Sequence, residues 1–212
     1  VTVRAGIGAV VAGCVLLAAC GSGSTEHGDS SGPTVPATGA LAGLTVAAEA
    51  HADTYQRDAF GQRWKDVDGN GCGQRDDVLT RDLTGITRRG RCVVVAGALV
   101  DPYTGQQVAF AKARASEVQI DHIVALAEAW RSGAWSWTPD RREAYANDLT
   151  VLQATAGRVN QVKGDEDAAG WSPAGGARRC RYAGMVVQVK ARWGLTADPA
   201  EVEALAAMLG DC

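Results

Sequence analysis

Asp121 and His122 stand side by side in the segment Gln119-Ile120-Asp121-His122-Ile123-Val124, and Asn147, Asn160 and Lys163 follow behind them. An Asp-His pair followed by Asn-x-x-Lys carries the groups that single-metal phosphodiester cleavage needs. The carboxylate of Asp121 and the amide oxygen of Asn160 can ligate a hard divalent cation, while the neutral imidazole of His122 takes a proton from the attacking water. Magnesium is the first expectation and manganese the second. Magnesium prefers oxygen ligands and keeps several waters, so two protein oxygens plus a phosphate make a reasonable set. A histidine with an unperturbed pKa of about 6.5 is mostly neutral above pH 7, and in an extended segment Asp121 turns to the metal beside it. A lone histidine next to an aspartate is often only a hydrogen-bonded structural residue. The spacing of Asn160 and Lys163, in a chain with three histidines, favours the chemical role. Lys163-Gly164-Asp165 also reads as a helix end with a basic last turn, which suits the helix dipole with or without a substrate.

Hydrophobic spacing gives the elements that must position these groups. It predicts a helix over 44–60, a Gly-rich loop over 66–73 and a short helix around 77–82. Strands over 92–100 and 107–110 flank Asp101-Pro102-Tyr103-Thr104-Gly105, a hairpin turn. A third extended segment, 117–120, leads into the Asp-His pair. Helical spacing resumes at Val124, Leu126, Ala127 and Trp130, and further helices are expected after Pro139 and around 152–162, 180–193 and 199–209. The class is α+β with helices dominant, in one domain over residues 44–212. The tryptophans read as core and rim ahead of base-stacking platforms.

Asp-His-Ile-Val-Ala-Leu, then Ala-Asn-Asp, then Asn-x-x-Lys-Gly-Asp resembles the secreted branch of the HNH, or ββα-metal, endonucleases, related to the catalytic domain of GmrSD restriction enzymes. The resemblance takes in Arg63-Trp64, Asp66-Val-Asp-Gly-Asn-Gly-Cys72, Val78-Leu79-x-Arg-Asp82, Asp101-Pro-Tyr-Thr-Gly105 and Trp171-Ser-Pro173, most of the domain. It implies a helix-rich ββα-metal core with a β-hairpin, His122 as general base, Asp121 and Asn160 on the metal, and Lys163 near the phosphate. One position departs from the pattern. Many HNH sites carry a bracing asparagine where this chain has Val151, and Asn147, a helical turn earlier, is the substitute expected to bond the backbone around His122.

A second constellation points elsewhere. Asp66-x-Asp68-x-Asn70-Gly71 matches the first half of a calcium loop, but its twelfth position is Asp77 rather than Glu, and Cys72 lies inside it. The alternative is an Asx-rich turn that sets Arg63, Trp64 and Arg75 beside the hairpin, with Arg63 and Arg75 as substrate contacts. Two function classes follow: an exported endonuclease acting on nucleic acid, DNA ahead of RNA, and a non-catalytic surface lipoprotein that binds a divalent metal or a polyanion. A peptidase lacks support, since no Ser or Cys nucleophile has a spare histidine and no His-Glu-x-x-His is present.

An apolar run from Ile7 to Ala19 ends Leu17-Ala18-Ala19-Cys20, too short to span a bilayer comfortably. Residues 1–19 are expected to be an export signal. Small residues before Cys20 and Gly-Ser after it resemble a bacterial lipobox, which implies a lipid on Cys20 and anchoring at the outer face of the cell membrane. Residues 20–43 read as a flexible Gly/Ser/Thr/Pro tether. The chain has 21 basic against 24 acidic residues, and only Arg4 falls in the signal. Bulk charge therefore does not draw it to nucleic acid; local clusters such as 88–91, 141–142 and 178–181 would have to. Setting aside Cys14 and Cys20 leaves Cys72, Cys92, Cys180 and Cys212, an even set in an exported chain. Three pairings are possible, and 72 with 92 plus 180 with 212 is favoured because each brackets a compact segment. Without a Cys-x-x-Cys a zinc site is the weaker reading.

Overall fold

The computed structural model describes residues 1–3 and 37–212. The apolar run, Cys20 and the tether as far as residue 36 lie outside the described residues. The compact unit runs Val35–Cys212. Its helices outweigh its strands, 46% against 18%. Among the described residues no helix is long and apolar enough to cross a membrane.

Two antiparallel sheets carry the strands. β1 (Leu83–Arg89), β2 (Val93–Val100) and β3 (Gln107–Ala111) form one sheet in that order. β4 (Val118–His122) and β5 (Leu152–Ala156) form the other, with Asp121 opposite Gln153 and His122 opposite Leu152. Seven α-helices accompany them: α1 (Ala37–Ala42), α2 (Gln74–Asp82), α3 (Leu126–Arg131), α4 (Pro139–Asn147), α5 (Gly157–Lys163), α6 (Gly176–Trp193) and α7 (Pro199–Leu209). Local chemistry starts several of them. Thr138 accepts from Arg141 N ahead of Pro139, and Asp198 accepts from Ala200 N and Glu201 N ahead of Pro199, so each helix opens on a capping oxygen with proline at its first position. Gly194, at φ 66°, closes α6.

Three expectations change. Residues 44–60 are not a helix: they run extended, bridge Ala197 through Val46, and make only single 3-10 turns at Ala52–Thr54 and Arg57–Phe60. The alanines that suggested a helix sit largely at the surface, so no buried face stabilises one. Residues 37–42, read as tether, form α1, which packs on α6 and α7. The helix expected over 152–162 is a strand followed by a helix, β5 then α5. β5 pairs with β4 and is buried at every position, so it shows no alternation. β1 was absent from the sequence reading.

β5 is held on its far side by two carboxylates from motifs outside the site. Asp82 accepts Ala154 N at 2.8 Å. Asp101, fully buried, accepts Ala156 N at 3.0 Å and the Thr155 hydroxyl, while its other oxygen closes the turn on Thr104. Carboxylates thus satisfy the edge amides that a two-stranded sheet would otherwise leave open. One apolar core lies among the helices around Phe60, Tyr103, Tyr145 and Tyr182; a second lies beneath the sheets around Val78, Leu99, Phe110 and Leu152. The disulfides are Cys72–Cys92 and Cys180–Cys212, the favoured pairing. In an exported chain they mark an oxidising compartment.

Candidate active site

β4, β5 and α5 together bring Asp121, His122, Asn160 and Lys163 to one place. The join between β5 and α5 depends on Gly157: a Cβ there would land on Ser116 O, so only glycine lets the helix start this close to the segment before β4. Asn160 and Lys163, three apart on α5, face β4. A cleft of about 490 Å³ opens beside them, lined by Asp121, His122 and Asn160 together with Tyr55 and Asp165.

His122 is aimed by a carbonyl. Its Nε2 lies 3.0 Å from Ala146 O, which makes Nε2 the protonated nitrogen and leaves Nδ1 as an acceptor. The ring lies nearly parallel to that of Tyr145, whose hydroxyl donates to Val124 O at 2.6 Å. Burial pushes the imidazole pKa down to about 4; the bond to Ala146 opposes this, and the charges of Arg57, Lys163 and Arg63 add to it. The ring is neutral at pH 7, as a general base must be.

Asp121 is almost wholly buried. Its Oδ1 accepts from Lys163 Nζ at 2.9 Å and its Oδ2 from the Tyr103 hydroxyl at 2.7 Å. Tyr103 is wedged edge-on against Trp171 and Tyr182, so the Trp171-Ser-Pro173 motif supports the site from behind. Lys163 has no exposed side-chain surface, and its ammonium also donates to His122 O at 3.0 Å. This differs from the expected position near a phosphate: the lysine lies beneath the cleft and reaches the chemistry through Asp121 and the His122 backbone. Asn160 donates to Gln119 Oε1 at 2.9 Å, and its own oxygen receives no hydrogen bond among the described residues.

These donors fit a hard divalent cation. Each Asp121 oxygen has taken one hydrogen bond and keeps acceptor capacity, and the Asn160 oxygen is uncommitted on the same cleft.

Asn147 does something other than expected. Its amide donates to Gln62 O and Glu143 O and its oxygen accepts Lys65 N, so it braces the 62–65 loop and makes no bond to the backbone around His122. Arg75 donates to Ala115 O and Val118 O, fastening the entry to β4 instead of facing a substrate. Arg63 is exposed. The Asp66 to Asp77 loop closes on itself. Asp66 accepts Gly69 N and Gly71 N, Asp68 accepts from Asn70, and Asn70 accepts Cys72 N, the geometry of an Asx-rich turn. The cluster of acidic oxygens close enough to share an ion is elsewhere, at Glu49, Asp167 and Asp198. The sequence does not single out Tyr55 on the cleft, Gln119 beside Asn160 or the bond from Tyr103 to Asp121, although Tyr103 lies within a motif that reads as a turn.

Two comparisons bear on this arrangement. Residues 73–208 match the family model of the GmrSD restriction endonucleases, C-terminal domain. An "Uncharacterized secreted protein" of Arthroderma benhamiae is 39% identical over 186 residues, covering 85% of this chain and 88% of the relative. No solved structure matches significantly. Matching from α2 through the first sheet, the Asp-His strand and the Asn-x-x-Lys helix alike, the chain belongs to the family of GmrSD restriction endonuclease C-terminal domains.

Proposed function

We propose that this protein is an exported, metal-dependent endonuclease that hydrolyses phosphodiester bonds, with DNA as its first substrate and little sequence preference. The carrying observation is the His122 ring, neutral and fixed by Ala146 O on the wall of the cleft that Asp121 and Asn160 share. Nδ1 accepts the proton of a water as its oxygen attacks phosphorus. Asp121 and Asn160 hold a divalent cation, magnesium first and manganese second, which when bound neutralises phosphate charge and eases departure of the leaving oxygen. Lys163 and Tyr103 keep Asp121 in place, and Asn160 is aligned by Gln119. Arg63 meets the substrate backbone. Base identity is unread, because phosphate contacts carry no sequence information. A lipid on Cys20 holds the enzyme at the outer face of the membrane; radiolabelled fatty acid should enter the parent but not Cys20→Ala.

The activity is tested with the mature chain, supercoiled plasmid and magnesium or manganese. The parent should nick the plasmid, and His122→Ala should be slower by about two to four orders of magnitude. Equal inactivity of both, across metals and pH, would instead support the non-catalytic, metal- or polyanion-binding lipoprotein.

A further inference from the structure

The segment expected to be a helix reaches the cleft at Tyr55, and Arg57 follows at the start of a single 3-10 turn. Phe60 ends that turn fully buried against the rings of Trp130 and Tyr145, and Arg142 Nε donates to Ala59 O at 2.9 Å, so the turn is pinned. Beyond it the 61–65 loop is clamped at both ends. Gln62 is held by Glu143 through its N–H and by Asn147 through its carbonyl, and Lys65 by Asn147 through its N–H and by Glu143 through its ammonium. Between the clamps lie Arg63 and Trp64, and Trp64 sits at φ 57°, a left-handed conformation that a bulky residue adopts only when its surroundings impose it.

The clamps present two guanidinium groups that lack anions. Neither Arg57 nor Arg63 has a carboxylate within ion-pair distance or a hydrogen bond among the described residues. Arg57 is half-buried, and burial together with the like charge of Arg63 disfavours its charged form. Asp58 next to it in the chain offsets part of this without pairing with it, and a half-buried cation beside another, with no bonded anion, gains from a ligand that supplies one. Both charges also reach the His122 ring. We infer that Arg57, together with Arg63, forms a phosphate-binding site at the Tyr55 side of the cleft, which takes a backbone phosphate of the nucleic acid next to the bond presented to His122. The inference rests on the nuclease reading and adds to it a residue and a direction for the strand: from His122 past Tyr55 towards the 57–63 segment. Two arginines placed here also let a mildly acidic protein capture a polyanion locally.

The test uses the mature chain in a metal chelator, so that nothing is cleaved, and a short fluorescein-labelled single-stranded oligodeoxynucleotide followed by anisotropy over a salt series. Arg57→Gln should weaken binding about tenfold at low salt and lower the log–log salt slope by about 0.7, one phosphate's worth of released counterion. Lys112→Gln, at an exposed position outside the cleft and outside the basic clusters, should change neither quantity. Melting temperature serves as the folding control, and Arg57→Gln should melt no lower than the parent, because it removes an uncompensated charge. Wild-type affinity and slope in folded Arg57→Gln would overturn the inference, and if the parent still nicks plasmid the nuclease reading survives that result. Failure of the parent both to bind and to nick overturns the two together. Inorganic phosphate is the second probe: if it raises the parent's melting temperature but not that of Arg57→Gln while oligonucleotide affinity is the same in both, the site takes the free anion and the nucleic-acid assignment is wrong.

Discussion

Two lysines are fully buried in this molecule, and they are satisfied in different ways. Lys190, on α6, donates to Glu128 of α3, Glu201 of α7, the Ser132 hydroxyl and Thr196 O. Its ammonium is over-supplied with acceptors, including two carboxylates, and it ties three helices together inside the core. Lys163, on α5, has one carboxylate, Asp121, and one carbonyl, His122 O. The difference lies in what is left over. At Lys190 the excess is carboxylate sealed away from water, with Arg131 as a second cation on Glu128, and burial pushes Glu201 up to about 7 even beside the ammonium. At Lys163 the excess is acceptor capacity on Asp121, facing a cleft. One arrangement closes its charges into the architecture; the other leaves oxygen capacity open to the cleft.

Swapping each lysine for an apolar residue should separate the two roles. Lys190→Met leaves buried Glu201 without its cation and Glu128 with Arg131 alone, and should cost about 3–5 kcal/mol of stability by denaturant titration, while the folded fraction keeps parental activity per molecule. Lys163→Met should show the reverse emphasis: about 10- to 100-fold weaker activity and weaker binding of a divalent ion by calorimetry, beyond any loss of stability, because a group that orients a ligand has gone. Equal activity losses in the two variants would dissolve the distinction.

The smallest effect is in the dependence of stability on pH, where the regions pull in opposite directions. Glu201, raised from 4.5 to about 7, keeps its proton in the folded state after the unfolded chain has lost it, so it makes stability fall as pH rises between those values. Glu49, raised to about 7, adds the same sign. His122, lowered from 6.5 to about 4, binds its proton more readily when unfolded, so it makes stability rise over its own window. Glu201→Gln should therefore turn the slope of melting temperature against pH more positive between about 4.5 and 6.5. An unchanged slope would mean that Glu201 titrates normally.

Much of the site was legible because it is written in neighbouring residues and short helical spacings: the Asp121-His122 pair, and Asn160 with Lys163 on one face of a helix. Residues whose meaning depends on distant partners were less so. Asn147 looked like a brace for His122 by its distance along the chain, yet it reaches the 62–65 loop. Lys163 looked like a phosphate contact because lysine usually faces water, yet α5 carries it under Asp121. Arg57 lies in the stretch 44–60, whose spacing reads as a helix, whereas the structure makes around it only a single 3-10 turn pinned by Phe60. In the fold, 152–156 was taken for helix because a strand buried on both faces alternates nothing, and its pairing with β4 is a long-range fact. The hairpin at 101–105 was readable from Pro and Gly alone.

The strands that present the reactive groups are consecutive in their sheet but not in the chain: β4 ends at His122 and β5 begins at Leu152, with α3 and α4 between them. Closing that intervening length costs loop entropy before any of the pairing contacts compensates it, and non-local pairings of this kind form late. The Asp121-His122 strand is therefore set in register by a pairing closed over some distance in the chain, so the arrangement of these side chains depends on the completed fold and not on the local segment that carries them.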